Sequence, residues 1–205
     1  MSVTAKRIVL AKRPKGEVTP ENFRLEDYEV PDPKAGEVVV RVTALSLDPY
    51  MRGRMNPGLS YTAGVSLGEV MGAGTVGQVV ASRHDRFAEG DFVLSSNGWQ
   101  EYAVSDGRGV RKLDPAAAPI STAVGVLGMP GMTAYAGLLE VGELKDGDNV
   151  VVSAASGAVG AVVGQIAKIK GHRVVGVAGV QKKCDYVTGE LGFDACVSHR
   201  SDTLA

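Results

Sequence analysis

The sequence is poor in cysteine, with only Cys184 and Cys196 among 205 residues. That excludes a disulfide framework and a cysteine-rich zinc site, and it fits a reducing, cytoplasmic setting. Aromatic residues are also scarce, at 5% with one tryptophan. A core must therefore be built mainly from Val, Leu, Ile and Ala. Neither sign of charge is in excess: 22 basic and 23 acidic residues leave a net charge of −1. No electrostatic footprint for nucleic acid exists in that balance. The apolar run at residues 8–11 is too short for a signal-peptide core. Residues 115–139 and 150–167 carry no charge, and Gly160 and Gly164 match a helix-dimer spacing. Prolines and glycines interrupt the first stretch, and Ser153, Ser156 and Gln165 dilute the second. A buried parallel strand feeding a helix accounts for these residues better than a membrane span.

What is abundant is glycine, 27 residues, nearly twice the ~7% average. The hydrophobic fraction of 44% suffices for a sizeable core. Up to about residue 115 the chain reads as β-rich, with strand candidates at 7–11, 23–30, 37–44, 75–81, 90–94, 100–104 and 110–113. In the third, Val38, Val40 and Val42 share one face and Val39, Arg41 and Thr43 the other. Turn signals at Pro31-Asp32-Pro33, Asn56-Pro57-Gly58, Glu89-Gly90-Asp91 and Asn97-Gly98 separate them, as in a small barrel or sandwich. Beyond Asp114-Pro115 the character changes. Residues 121–139 read as helical with a break at Met129-Pro130-Gly131, and Gly142 as a C-cap. There follow a buried strand at 149–153, a helix at 157–170 with Val159, Val162, Val163, Ile166 and Ile169 at helical spacing, and a second buried strand at 172–177. A helix at 182–191 and a strand from 195 complete a parallel, right-handed arrangement.

The sharpest chemical signal is the turn Ala154-Ala155-Ser156-Gly157-Ala158-Val159-Gly160. It closes a strand and opens a helix. Small residues there let the backbone approach a pyrophosphate, and the helix N-terminus offers unpaired N–H groups and partial positive charge. Ala155 stands in for the first glycine of the G-x-G-x-x-G fingerprint, with Gly157 and Gly160 as the others. An NAD site wants an acid at the end of the second strand. This chain has Val177-Ala178-Gly179 there, followed by Val180-Gln181-Lys182-Lys183. Gly179 leaves room for a 2′-phosphate and a lysine supplies counter-charge, so NADPH is preferred over NADH. A solvated helix face is the competing account of the two lysines.

Three segments carry a family resemblance: Leu45-Ser46-Leu47-Asp48-Pro49-Tyr50-Met51-Arg52, Leu127-Gly128-Met129-Pro130-Gly131-Met132-Thr133-Ala134-Tyr135, and the 154–160 turn. Together the chain resembles the zinc-independent medium-chain dehydrogenase/reductases. The similarity is to the branch holding leukotriene B4 12-hydroxydehydrogenase/prostaglandin reductases, plant alkenal double-bond reductases and curcumin reductase. The resemblance implies an α/β protein. A GroES-like β-barrel domain at residues 1–120 would precede the first part of a Rossmann-type parallel sheet at 121–205. It also implies NADPH-dependent reduction of the C=C bond of α,β-unsaturated ketones and aldehydes without a metal. Carried over, Gly157, Ala158, Val159 and Gly160 match the pyrophosphate loop, and Gly179 and Lys183 the 2′-phosphate site. His199 stands where relatives often place a nucleotide-contacting tyrosine. Pro49 and Tyr50 match a segment near the nicotinamide, and Met132 and Thr133 sit where the family's helix break faces the cofactor. The family often forms dimers through its cofactor domain.

Such a reaction builds negative charge on a carbonyl oxygen, which a hydroxyl donor would stabilise. Tyr50 and Tyr61 are the candidates, each with rim or core packing as the competing account. A zinc alcohol dehydrogenase needs thiolate and imidazole ligands. The barrel region has no cysteine, and its one histidine, His84, reads as solvated in a charged loop. Cys184 and Cys196 read as packing thiols. The alternative of a different class is a non-catalytic NADPH-binding or crystallin-like structural protein. About two and a half nucleotide-domain strands are legible, so the chain reads as the N-terminal portion of a longer enzyme.

Overall fold

Alternating apolar residues build the first of two compact units, Met1–Val124 and Gly125–Ala205. The computed structural model describes residues 3–58 and 63–200. Strand β1 (Val3–Leu10) pairs antiparallel with β2 (Phe23–Val30) along its full length, from Val3 opposite Val30 to Leu10 opposite Phe23. It starts earlier than the expected 7–11 because that register places Ala5 in the core together with Val9 and Leu10. Strands β3 (Val38–Leu45), β4 (Thr75–Ser82), β5 (Phe92–Ser95), β6 (Tyr102–Ser105) and β7 (Arg111–Leu113) form an antiparallel sheet in the order β6-β3-β4-β5-β7. Val38, Val40, Val79, Phe87, Val93 and Val110 make its inner cluster. Burying each such valine is worth about 1.5–3 kcal/mol relative to exposure. Val39, on the face opposite Val38 and Val40 as expected, is buried as well, against Ala5 and Val30. Both faces of β3 are thus covered in its first half, and alternation resumes from Arg41.

The short helix α1 (Tyr50–Arg54) has Pro49 at its N-cap. Five residues do not hold a helix in water. This one is pinned by Met51 and Met55, both buried, with Met55 among Leu10, Val65 and Met71. Trp99 and Phe23, 5.2 Å apart between ring centroids, pack on that cluster.

The second unit holds three parallel strands, β8 (Asn149–Val152), β9 (Arg173–Ala178) and β10 (Ala195–Ser198), in the order β10-β9-β8. This is the 3-2-1 order of the first half of a Rossmann-type sheet. Helices α2 (Met129–Tyr135), α3 (Gly160–Ile169) and α4 (Gln181–Gly189) accompany it. Three local expectations need correction. Met129-Pro130-Gly131 begins a helix rather than breaking one. Proline costs nothing in a first turn, where its missing N–H would have no partner. Gly131 lets that turn close on residue 126, since a Cβ there would lie 1.8 Å from the Val126 carbonyl oxygen. Upstream lies a 3-10 turn, Ile120–Val124, and downstream a π-helical turn, Ala136–Val141.

Second, α3 starts at Gly160, not 157, and buries Gly160, Gly164 and Ala167. Val159 and Ile169 are exposed, Ile169 by 85%. Small residues face the core because α3 lies close to its neighbours: a Cβ on Gly164 would collide with the Phe193 ring. Third, β8 is not buried on both sides. Val152, Ala155, Ala167, Val174, Val187 and Phe193 form a core on one sheet face, whereas Val151, pointing the other way, is 69% exposed. The Gly160–Gly164 spacing is used up inside the unit, and no helix among the described residues is long and apolar enough to cross a membrane.

Candidate functional site

The carboxyl ends of the three parallel strands converge. Val152 is level with Gly176 and Cys196, and Ala178 with Ser198. The turn after β8 is tied to β9 by the Ala155 N–H donating to the Val177 carbonyl at 3.1 Å. It closes around one atom, the Ala154 carbonyl oxygen, which accepts the Gly157 N–H at 2.8 Å. A Cβ on Gly157 would lie 3.1 Å from that oxygen and one on Gly160 2.5 Å. Ala154 itself has φ +48°, a left-handed conformation that costs a non-glycine about 1–2 kcal/mol. Beyond the turn, the N–H groups of Ala158, Val159 and Gly160 find no backbone acceptor among the described residues. They open α3 without a side-chain cap, so the helix start presents bare donors and positive dipole.

Gly179 follows β9. A Cβ there would meet only His199 Nε2 at 3.6 Å and Arg200 Nε at 3.8 Å, ordinary contacts. The protein's own packing therefore does not require glycine at 179, and the space beside it remains open. His199 follows β10, and its N–H donates to the Ala178 carbonyl at 3.0 Å. Lys183 is exposed in the first turn of α4, as is Lys182. The structure thus brings Gly157, Ala158, Val159, Gly160, Gly179, Lys183 and His199 to one edge of one sheet. Arg200 belongs to this group and was missed from sequence. Its signal was a second basic residue directly after His199 at a strand end.

Met132 and Thr133 lie exposed on α2, with Thr133 Oγ1 donating to the Met129 carbonyl at 2.7 Å. Pro49 and Tyr50 belong to the first unit, Pro49 exposed and Tyr50 half-buried. The Arg54 guanidinium stands over the Tyr50 ring, 4.7 Å from its centroid. Tyr61 lies outside the described residues.

One further expectation changes. His84 is not simply solvated. It is half-buried, accepts the Arg86 N–H on Nδ1 at 3.0 Å, and meets Phe87 edge-on at 5.0 Å. Cys184 and Cys196 are packing thiols, as expected, and they pack against each other with their Sγ atoms 2.7 Å apart. Burial, then the neighbouring Cys184, pushes the Cys196 thiol up to about 12. Among the described residues no three His, Cys, Asp or Glu side chains cluster as metal ligands do.

Comparison with known proteins identifies the family. Residues 6–113 match the family described as the N-terminal domain of oxidoreductase. The chain is 52% identical over 200 residues to the NADPH-dependent curcumin reductase of Escherichia coli K12, covering 98% of this chain and 58% of that protein. It is 43% identical over 202 residues to prostaglandin reductase 1 of Oryctolagus cuniculus, covering 97% of this chain and 56% of the relative. Among solved structures, CurA from Vibrio vulnificus in complex with NADPH superposes with a TM-score of 0.91 at 52% identity, over 96% of this chain and 58% of that one. The chain therefore spans less than two thirds of the length of these relatives. It belongs to this oxidoreductase family, in the zinc-independent branch of the medium-chain dehydrogenase/reductases.

Proposed function

We propose that this chain contributes the nucleotide cradle and one wall of the substrate site of an NADPH-dependent reductase acting on the C=C bond of α,β-unsaturated ketones and aldehydes. The observation that carries the proposal is the turn at Ala154, where Gly157 and Gly160 carry no side chain and the N–H groups of Ala158, Val159 and Gly160 have no backbone acceptor among the described residues. Such a cradle fits a dinucleotide diphosphate. Gly179 leaves the space a 2′-phosphate needs, with Lys183, His199 and Arg200 beside it as donors and counter-charge. No acid ends β9 to hold a ribose 2′-hydroxyl. The relatives named for NADPH support the same choice of nucleotide.

When bound, the nicotinamide would supply a hydride to the substrate's β-carbon, and a proton from solvent would complete the reduction at the α-carbon. The chain's own work is to bind, orient and stabilise. In this proposal residues 1–120 form the substrate side and residues 121–205 the nucleotide side. The family resemblance assigns Pro49, in the first unit, and Met132 and Thr133, in the second, each to nicotinamide contact. The Tyr50 hydroxyl donates to the substrate carbonyl oxygen, a bond that strengthens as negative charge gathers there. Tyr61 is the second candidate for that donor.

Two measurements test the proposal. Titration of the chain with NADPH and with NADH is expected to show tighter binding of NADPH, and equal affinities would remove the 2′-phosphate assignment. Loss of NADPH absorbance with a panel of enones, including an alkenal and curcumin, is expected for the enzyme that contains this chain. No turnover across the panel would reject the reductase reading while leaving the cradle intact.

A further inference from the structure

Helix α1 places two arginines within one turn, and they are spent differently. Arg52 is fully engaged: Nη2 and Nε donate to the Gly16 carbonyl at 2.8 and 3.3 Å, and Nη1 donates to Asn56 Oδ1 at 2.8 Å. Arg54 is half-buried, and none of the hydrogen bonds or ion pairs found among the described residues engages its guanidinium. Its Nε is sealed from solvent without a partner. Withdrawing a guanidinium N–H from water with nothing to accept it is costly, and a carboxylate normally offsets that cost. Here the favourable neighbour is the face of the Tyr50 ring, 4.7 Å away. Four residues apart on a helix, the two side chains share a face. Gly72 keeps the slot open, since a Cβ there would press on Arg54 Nη1 at 3.3 Å. The flank of the same helix, one residue further round, is anchored by Met51 and Met55.

We infer that Arg54 is a positioning residue for Tyr50: its guanidinium fixes the ring by a cation–π stack and so aims and strengthens the hydroxyl as a hydrogen-bond donor. The inference rests on the reading of Tyr50 as the donor to the substrate oxygen. Two physical effects act together. The stack restricts the ring to one orientation, which sets the direction of the hydroxyl. A positive charge at the ring face also favours electron density building toward the phenol oxygen, which is what donating to a developing oxyanion requires. The guanidinium suits this task because no carboxylate among the described residues forms an ion pair with it, and its Nε is buried without a partner.

The test has a spectroscopic and a kinetic arm. The chain is labelled with 3-fluorotyrosine, and the Tyr50 signal among the six tyrosines is assigned by its loss in Tyr50→Phe. In Arg54→Gln that signal is expected to shift and broaden while the other tyrosine signals stay in place, and Arg54→Lys is expected to recover part of the parent position. An unchanged Tyr50 signal in a folded Arg54→Gln chain overturns the inference. In the reductase, Arg54→Gln is expected to lower kcat about 3- to 10-fold with KM for NADPH unchanged. The double variant with Tyr50→Phe is expected to lose no more than Tyr50→Phe alone. If Tyr50→Phe itself leaves kcat intact, the reading of Tyr50 falls and the assignment of Arg54 falls with it. If kcat depends on Tyr50 but ignores Arg54, only the assignment of Arg54 falls.

Discussion

Phe193 occupies the space that a side chain at Gly164 would fill: a Cβ at 164 would lie 1.8 Å from Phe193 Cζ and 2.2 Å from Cε1. A phenyl ring thus sits directly on the backbone of α3. Gly164→Ala raises intrinsic helix propensity by up to about 1 kcal/mol. The overpacking it forces costs about 1–3 kcal/mol. We expect net destabilisation, read as a lower urea midpoint. A midpoint equal to the parent's would show that the ring can withdraw without cost.

At the end of the π-helical turn, glycine and the left-handed backbone are one residue out of step. Gly142 holds the expected C-cap position but has φ −77°, and Glu143 takes the positive φ of 47°. The Leu144 N–H donates to the Leu138 carbonyl at 3.3 Å and the Gly142 N–H to the Gly137 carbonyl at 2.9 Å, so the terminus is closed around a strained glutamate. Glu143→Gly is expected to stabilise by about 0.5–1 kcal/mol, raising the thermal midpoint by a few degrees. A lower midpoint would contradict the strain argument.

Asp194 binds together α3, β9 and the approach to β10. Lys168 Nζ lies 2.8 and 3.0 Å from its two carboxylate oxygens, and the Val174 N–H donates to Oδ2 at 2.6 Å. The Lys168 hydrogen bond, followed by the Val174 N–H, holds its carboxyl below the ordinary value of 3.8. A depressed carboxyl contributes stability that is present above the unfolded value and lost as pH falls through the folded one. Acid unfolding below about pH 4 is therefore expected to be shallower in Asp194→Asn. Parallel acid curves for parent and variant would rule the contribution out.

The Cys184–Cys196 pair gives the opposite pH signature. With the Cys196 thiol raised from 9.0 to about 12, the folded state favours the protonated form. The resulting stability is complete below pH 9 and is lost as pH rises toward 12. Cys196→Ala is expected to flatten this alkaline loss. Iodoacetamide at pH 8 is expected to alkylate the native chain far more slowly than the unfolded chain, because the thiolate is the nucleophile. Equal alkylation rates would mean that the pair opens readily.

Lys183→Glu is expected to erode the preference for NADPH over NADH by about tenfold or more, from a lost charge-assisted contact and a new repulsion. The ratio of the two affinities is the readout. An unchanged ratio would move the counter-charge to His199 and Arg200.

Much of this organisation is legible in the sequence. Strand 23–30 is found to the residue, and the other strands of the first unit lie within a few residues of expectation, because valine alternation and Gly or Asn turns are local signals. The glycine turn after β8 is legible for the same reason: Gly157 and Gly160 are needed by local backbone geometry. Tertiary relationships are less accessible. Pro130 has the same sequence signature whether it breaks a helix or begins one, and only the closure of Gly131 on Val126 decides between them. The exposure of Val151 depends on which sheet face the helices cover, and the stack of Arg54 on Tyr50 depends on Gly72 leaving a slot.

Trp99, packed with Phe23 at the edge of the Leu10, Met55 and Met71 cluster, is the only tryptophan in the chain. It lies in the Met1–Val124 unit, so the Gly125–Ala205 unit has no indole signal of its own. Tryptophan fluorescence, excited selectively so that Tyr135 and Tyr186 stay silent, therefore follows the melting of the first unit alone, whereas far-ultraviolet circular dichroism follows both. The gap or coincidence between the two unfolding curves becomes a built-in measure of whether the halves fold as one cooperative body.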